Sequence, residues 1–103
     1  MTLDELEDKL KETGLPVVYR NWKAGTAPPL PWICYLVAYS NNFAADGGVY
    51  ARVDHIQVEL YTALKDQEAE ERVETALSYF VWEKTETYLE SEKCFQILYE
   101  IEV

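Results

Sequence analysis

Chemistry in this chain would be sought first at His55, its single histidine, and at the carboxylates near it. By pattern Asp54-His55 lies mid-strand, where adjacent side chains point to opposite faces. A carboxylate–imidazole dyad would form there only if a bulge realigned the pair. No motif supplies a nucleophile for such a base, so a half-buried or surface structural histidine is expected. Glu100 and Glu102 share one face of a strand, a spacing that would suit a weak metal clamp. No companion histidine or Gly-Asp loop accompanies them, so a solvated strand face is expected. Asp46-Gly47-Gly48 lacks the lysine and following helix of a phosphate-binding loop and is expected to be a turn. Cys34 and Cys94 lie in apolar runs with no CxxC or Cys/His spacing, which points to two buried thiols. No catalytic residue, metal or cofactor is expected, and the chain reads as something other than an enzyme.

Composition narrows the field further. The 103 residues carry 9 basic and 19 acidic side chains, a net charge of -10, and 49% of them are hydrophobic. That apolar content is enough to build one core, so residues 1–103 read as a single domain. Direct nucleic-acid binding is disfavoured, because phosphate contacts need clustered Lys and Arg. A membrane span would need roughly 20 consecutive apolar residues, and no run approaches that length. The start, Met1-Thr2-Leu3-Asp4-Glu5, is acidic where a secretory leader is basic and then apolar, so export by that route is not expected.

Helical spacing of Leu3, Leu6 and Leu10 predicts a first helix over about 3–13. Thr2 and Glu5 form its capping box and Gly14 ends it. Val17 to Arg20 reads as a short strand, and Asn21 to Pro31 as a Pro-rich loop. Trp32 to Tyr39 is apolar on both faces and suits a central strand. Residues 40–48 read as a long hairpin loop, because Asn, Asp and Gly supply turn chemistry. Residues 49–62 form the next strand. Its apolar set changes parity from Val49, Ala51 and Val53 to Ile56, Val58 and Leu60, so a bulge is placed near Asp54-His55. Asp66 caps a second helix, about 67–79, with Ala69, Val73, Ala76, Leu77 and Phe80 buried. Glu68, Glu70, Glu71 and Glu74 fall largely on its other side. A final hairpin pairs a strand near Lys84 to Glu90 with one from Cys94 to Val103. The order is α-β-β-β-α-β-β: an α+β fold, with a mostly antiparallel sheet and two helices on one face.

With chemistry set aside, surface remains. Residues 1–15 carry a net -3, residues 16–65 a net +1 and residues 66–103 a net -8. The middle is nearly neutral and holds Trp22, Trp32, Phe43 and five of the eight tyrosines. Weakly charged aromatic surface is what association interfaces use. Trp32 and Tyr35 are expected in the core. Trp22, Asn41, Asn42, Phe43, Asp46 and Tyr50 are the candidate interface residues, with Phe43 as anchor.

Several strings resemble a known family. They are Thr2-Leu3-Asp4-Glu5-Leu6, Thr13-Gly14-Leu15-Pro16-Val17 with Tyr19-Arg20, and Ala27-Pro28-Pro29-Leu30-Pro31. Asn42-Phe43-Ala44-Ala45-Asp46-Gly47 with Val49-Tyr50, Glu59-Leu60-Tyr61-Thr62, and Lys84-Thr85-Glu86-Thr87-Tyr88 with Glu90-Ser91-Glu92-Lys93 complete the set. Together they are similar to small proteins encoded in the head–tail joining region of siphophage-like prophages of Gram-positive bacteria. The resemblance implies a virion structural protein that joins head to tail or terminates the tail tube. It implies self-association into a ring, commonly a hexamer, and contacts with connector or stopper and tail tube proteins. The implied location is the host cytoplasm during assembly and then the virion neck. An acidic mimic of DNA, inhibiting a DNA-binding protein, is the alternative that the net charge suggests.

Overall fold

The computed structural model describes residues 1–45 and 48–103, with the backbone alone described over 41–45 and 48–52. In chain order the elements are α1 (Leu3–Lys11), β1 (Val17–Tyr19), β2 (Trp32–Ala45), β3 (Gly48–Thr62), α2 (Gln67–Ala76), β4 (Glu83–Leu89) and β5 (Cys94–Glu102). This is the α-β-β-β-α-β-β order of an α+β domain. The strands form one mixed sheet in the order β1-β2-β3-β5-β4. Only the β1–β2 pair is parallel; β2–β3, β3–β5 and β4–β5 are antiparallel.

Local sequence explains both helices. Thr2 Oγ1 accepts from the Glu5 backbone N–H at 3.2 Å, and Glu5 Oε1 accepts from the Thr2 N–H at 3.2 Å, which completes the capping box. Helix α1 stops at Lys11, two residues short of the expected end. There Thr13 Oγ1 donates to the Leu10 carbonyl at 2.6 Å and accepts from Leu15 N–H, replacing further helical bonds. Gly14 follows at φ +80°, a left-handed conformation that glycine adopts without penalty. Asp66 Oδ1 accepts from Ala69 N–H at 3.0 Å and starts α2. That helix ends at Ala76 rather than 79, where tighter bonds such as Phe80 N–H to Leu77 O take over.

Both helices cover one face of the sheet. Leu6 and Leu10 of α1 and Ala69, Val73 and Leu77 of α2 pack against Ile33, Tyr35, Ile56, Val58, Leu60, Ile97, Tyr99 and Ile101. The sheet members alternate along each strand, as period-2 geometry requires. Tyr35 is in this core, as expected. Trp32 is not: its even position puts it on the opposite face of β2, half-buried. Cys34 and Cys94 are buried free thiols. Burial, with the Glu59 carboxylate beside it, pushes the Cys34 thiol up to about 11.

The hairpin departs most from expectation. Residues 40–45 and 48 are strand, not loop: Asn41 pairs with Val53, Asn42 with Arg52, Phe43 with Ala51 and Ala45 with Gly48. Turn propensity of Asn and Ala loses here to cross-strand pairing, which is the stronger determinant of strand structure. The expected irregularity exists at the level of His55, but the inserted residue is on the partner strand. Val37 pairs with Ile56 and Tyr39 with His55, which leaves Ala38 as the extra residue. Strand β3 is held on its other side by β5 through His55–Glu102 and by paired bonds between Asp54 and Val103. Beyond Tyr35 strand β2 has no strand partner on its β1 side among the described residues, and bulges are tolerated at such an edge.

Candidate functional site

Past its sheet neighbours the β2–β3 hairpin continues as a two-stranded arm. Strand β1 accompanies β2 only over residues 33–35, and β5 accompanies β3 only over residues 55–62. Residues 41–45 and 48–53 therefore pair only with each other among the described residues. The molecule is correspondingly long, 50 × 27 × 23 Å. Of the candidate interface residues, Asn41, Asn42 and Phe43 lie on the β2 side of this arm. Tyr50 lies on the β3 side, at a second register shift, where Phe43 faces Ala51 and Ala44 faces Val49. Asp46 lies outside the described residues.

The root of the arm is a polar and aromatic cluster. The Tyr39 ring stacks on the His55 ring with centroids 4.6 Å apart and 7° between planes. His55 Nε2 lies 3.1 Å from Glu100 Oε1, so this carboxylate of the expected solvated face is tied back to the fold. Ser40 Oγ donates to Asp54 Oδ1 across the two strands. Asp54 and His55 thus face different partners, and the pair forms no dyad. Among the described residues no group of three His, Cys, Asp or Glu side chains could hold a metal ion.

Trp22 is separate from the arm. It lies half-buried on the sheet face opposite the helices, edge-on to Trp32 at 5.9 Å and 78°. Trp32 in turn meets Tyr61 at 4.7 Å. Tyr61 Oη donates to Glu59 Oε1 and accepts from Gln96 Nε2, both at 2.9 Å. Loop residues Asn21 to Pro31 thereby cover the β2 end of the exposed sheet face. Sequence reasoning grouped Trp22 with Phe43; Trp22 belongs to the loop packed on Trp32, whereas the Phe43 backbone belongs to the arm.

One polar centre escaped the sequence pattern. Glu70, only 3% exposed, is clamped between Lys65 and Lys84, each 2.6 Å away. Lys84 also reaches Glu74 at 2.8 Å, and Tyr99 Oη donates to the same Glu74 oxygen at 2.6 Å. Burial pushes the Glu70 carboxyl up, but the two ammonium groups outweigh it and hold it below the ordinary range. Lys65 is raised by Glu70 and Glu86. Lys84 is pulled down by burial and raised more strongly by Glu70 and Glu74. Its i, i+3, i+7 spacing with Val73 and Leu77 puts Glu70 on the face that packs on the sheet, not on the outer side expected for it. The cluster fastens β4, whose side chains are otherwise mostly exposed, to α2.

No helix among the described residues is long and apolar enough to cross a membrane. No family model matches the chain, and no curated protein matches it at a significant level. The likeness to head–tail joining proteins therefore rests on the sequence strings alone.

Proposed function

We propose that this chain is a structural virion protein of the head–tail joining region, working as a self-assembling component, in a ring, that joins head to tail or closes the tail tube. The observation that carries the reading is the arm. An isolated two-stranded ribbon is marginal in water, because it lacks a third strand and a covered face. A chain that extends one past its own sheet gains stability when the arm lies against another surface. The nearly neutral charge of residues 16–65 suits such contact, and the acidic remainder adds solubility. The role assigned is structural, with connector or stopper and tail tube proteins as partners and no catalytic step.

Imaging of particles from a strain lacking the gene tests this. Full heads beside unattached or overlong tails are expected, and normal tailed particles would end the proposal. A finer version uses Phe43→Ala in the arm. The variant is expected to keep its circular dichroism spectrum and lose assembly of tailed particles. Normal assembly would remove the arm from the interface.

A further inference from the structure

The two outer edges of the sheet carry surfaces that match one another. Where β4 begins and β5 ends, a groove of about 570 Å³ is lined by Tyr79, Val81, Glu83, Glu100, Glu102 and Val103, and it reaches inward to Met1 and to His55, which lies beside Glu100. Tyr79 is 76% exposed and Val81 93%, so two large apolar side chains stand open at its rim. No lysine or arginine lines it. Glu83 stands directly opposite Glu100 in the β4–β5 register, a like-charge cross-strand pair that destabilises a sheet. Neither Glu83 nor Glu102 has an ion-pair partner among the described residues. The groove is therefore apolar at its rim, and on its β4–β5 side it offers Glu83 and Glu102 to an entering cation, Glu100 being already engaged by His55.

The complementary surface lies on the opposite edge, directly after β1. Arg20 and Lys23 are exposed and also lack ion-pair partners among the described residues. The same loop exposes Ala24, Ala27 and Pro29, small apolar groups suited to packing on Tyr79 and Val81. Arg20 is held in place: its N–H donates to Tyr35 O at 2.7 Å, and its φ is 69°. The strand register puts the two surfaces at the same height. Tyr19, Tyr35, Val58, Tyr99 and Lys84 form one row across the sheet. The next row runs Leu36, Gln57, Glu100, Glu83, with Arg20 at its β1 end. Four strand spacings, about 19 Å, separate its ends.

We propose that a second copy of this chain fills the groove, inserting its Arg20–Lys23 turn so that the β1 edge of one copy meets the β4 edge of the next. The two patches differ, so the contact is heterologous. It propagates head to tail and closes into a ring where the rotation allows. The proposal rests on the self-assembling reading above and names the surfaces that reading leaves open. Charge complementarity argues for a copy of the chain over an unrelated basic partner, since Arg20 ends the row that holds Glu100 and Glu83 and Lys23 follows it in the same turn.

Disulfide trapping tests it on the full chain. Lys23→Cys and Glu102→Cys are made separately, mixed and gently oxidised; Cys34 and Cys94 are buried. The control pairs Glu102→Cys with Lys11→Cys, an exposed helix position. The expected result is a covalent heterodimer at about tenfold the control yield or more, from the raised effective concentration at a real contact. Equal yields would overturn the proposal. Adding Glu83→Lys to the Glu102→Cys chain is expected to cut the yield, and adding Arg20→Glu to the Lys23→Cys chain to restore it. A yield indifferent to both would also overturn it. Circular dichroism confirms that each variant is folded. Trapping reports the contact independently of any virion: normal tails in the strain lacking the gene would remove the functional reading and leave this contact standing.

Discussion

Glu70 gives the stability of the molecule a pH dependence on the acid side. Its folded carboxyl is held below the ordinary range, so its contribution to stability is present above the unfolded value, near 4.5, and is lost as pH falls through the lower folded value. Lys65 and Lys84 act at the other end. Their folded values are raised, so their contribution is complete below the unfolded value, near 10.5, and is lost as pH rises through the folded one. Glu70→Gln is expected to lower the unfolding free energy at neutral pH by about 1–3 kcal/mol, since it leaves two ammonium groups facing a neutral amide. It should also flatten the acid limb of the stability curve. Urea titrations of both proteins across the acid range check both statements. At this scale the sequence was only partly readable. Thr2, Glu5 and Asp66 announced their capping roles through type and spacing. Glu70 did not, because a charged side chain on a helix is usually solvated, and only the lysines brought by β4 and the β3–α2 loop make its burial tolerable.

Elements were legible where one buried face set the period. The two helices and β5 follow their apolar spacing closely, and Ile97, Tyr99 and Ile101 are buried as their alternation requires. The arm was illegible for a physical reason. Among the described residues strand β2 beyond Ser40 pairs only with β3, and its Asn pair reads locally as loop, so local propensity hid what cross-strand pairing decides. The same fact leads to a prediction. The core side chains among the described residues come from the helices and from strand positions before Ser40 or after Asp54. Replacing residues 41–53 by a two-residue Asn-Gly turn between the paired Ser40 and Asp54 is expected to keep the fold and shift the thermal midpoint by less than about 5 °C. The shortened protein should lose assembly of tailed particles. Thermal melts by circular dichroism and particle imaging read the two outcomes separately.

Across the whole molecule, the sheet order converts a sequence asymmetry into a spatial one. Strands β1, β2 and most of β3 come from the nearly neutral stretch 16–65, whereas α2, β4 and β5 come from the stretch carrying -8. The order β1-β2-β3-β5-β4 places the acidic strands together at one edge. Self-association through opposite edges is then partly electrostatic and falls as salt shortens the reach of exposed charges, from about 10 Å at 0.1 M to about 3 Å at 1 M. Sedimentation velocity of the concentrated full chain at low and high sodium chloride should show the weight-average mass declining with salt. A mass that rises with salt would point to apolar contact as the main attraction.

Ala38 provides a way to separate the arm's chemistry from its aim. It is the residue that β2 inserts where the arm leaves the sheet, and an inserted residue bends a strand and steepens its twist. Deleting it would leave Tyr39 opposite His55 and every later pair unchanged, so the arm would carry the same side chains on the same faces along a different heading. A protein that tolerates Phe43→Ala but fails on losing this one small residue would use the arm for its direction. The reverse pattern would mean that the arm is read by its surface and can find its partner from more than one angle.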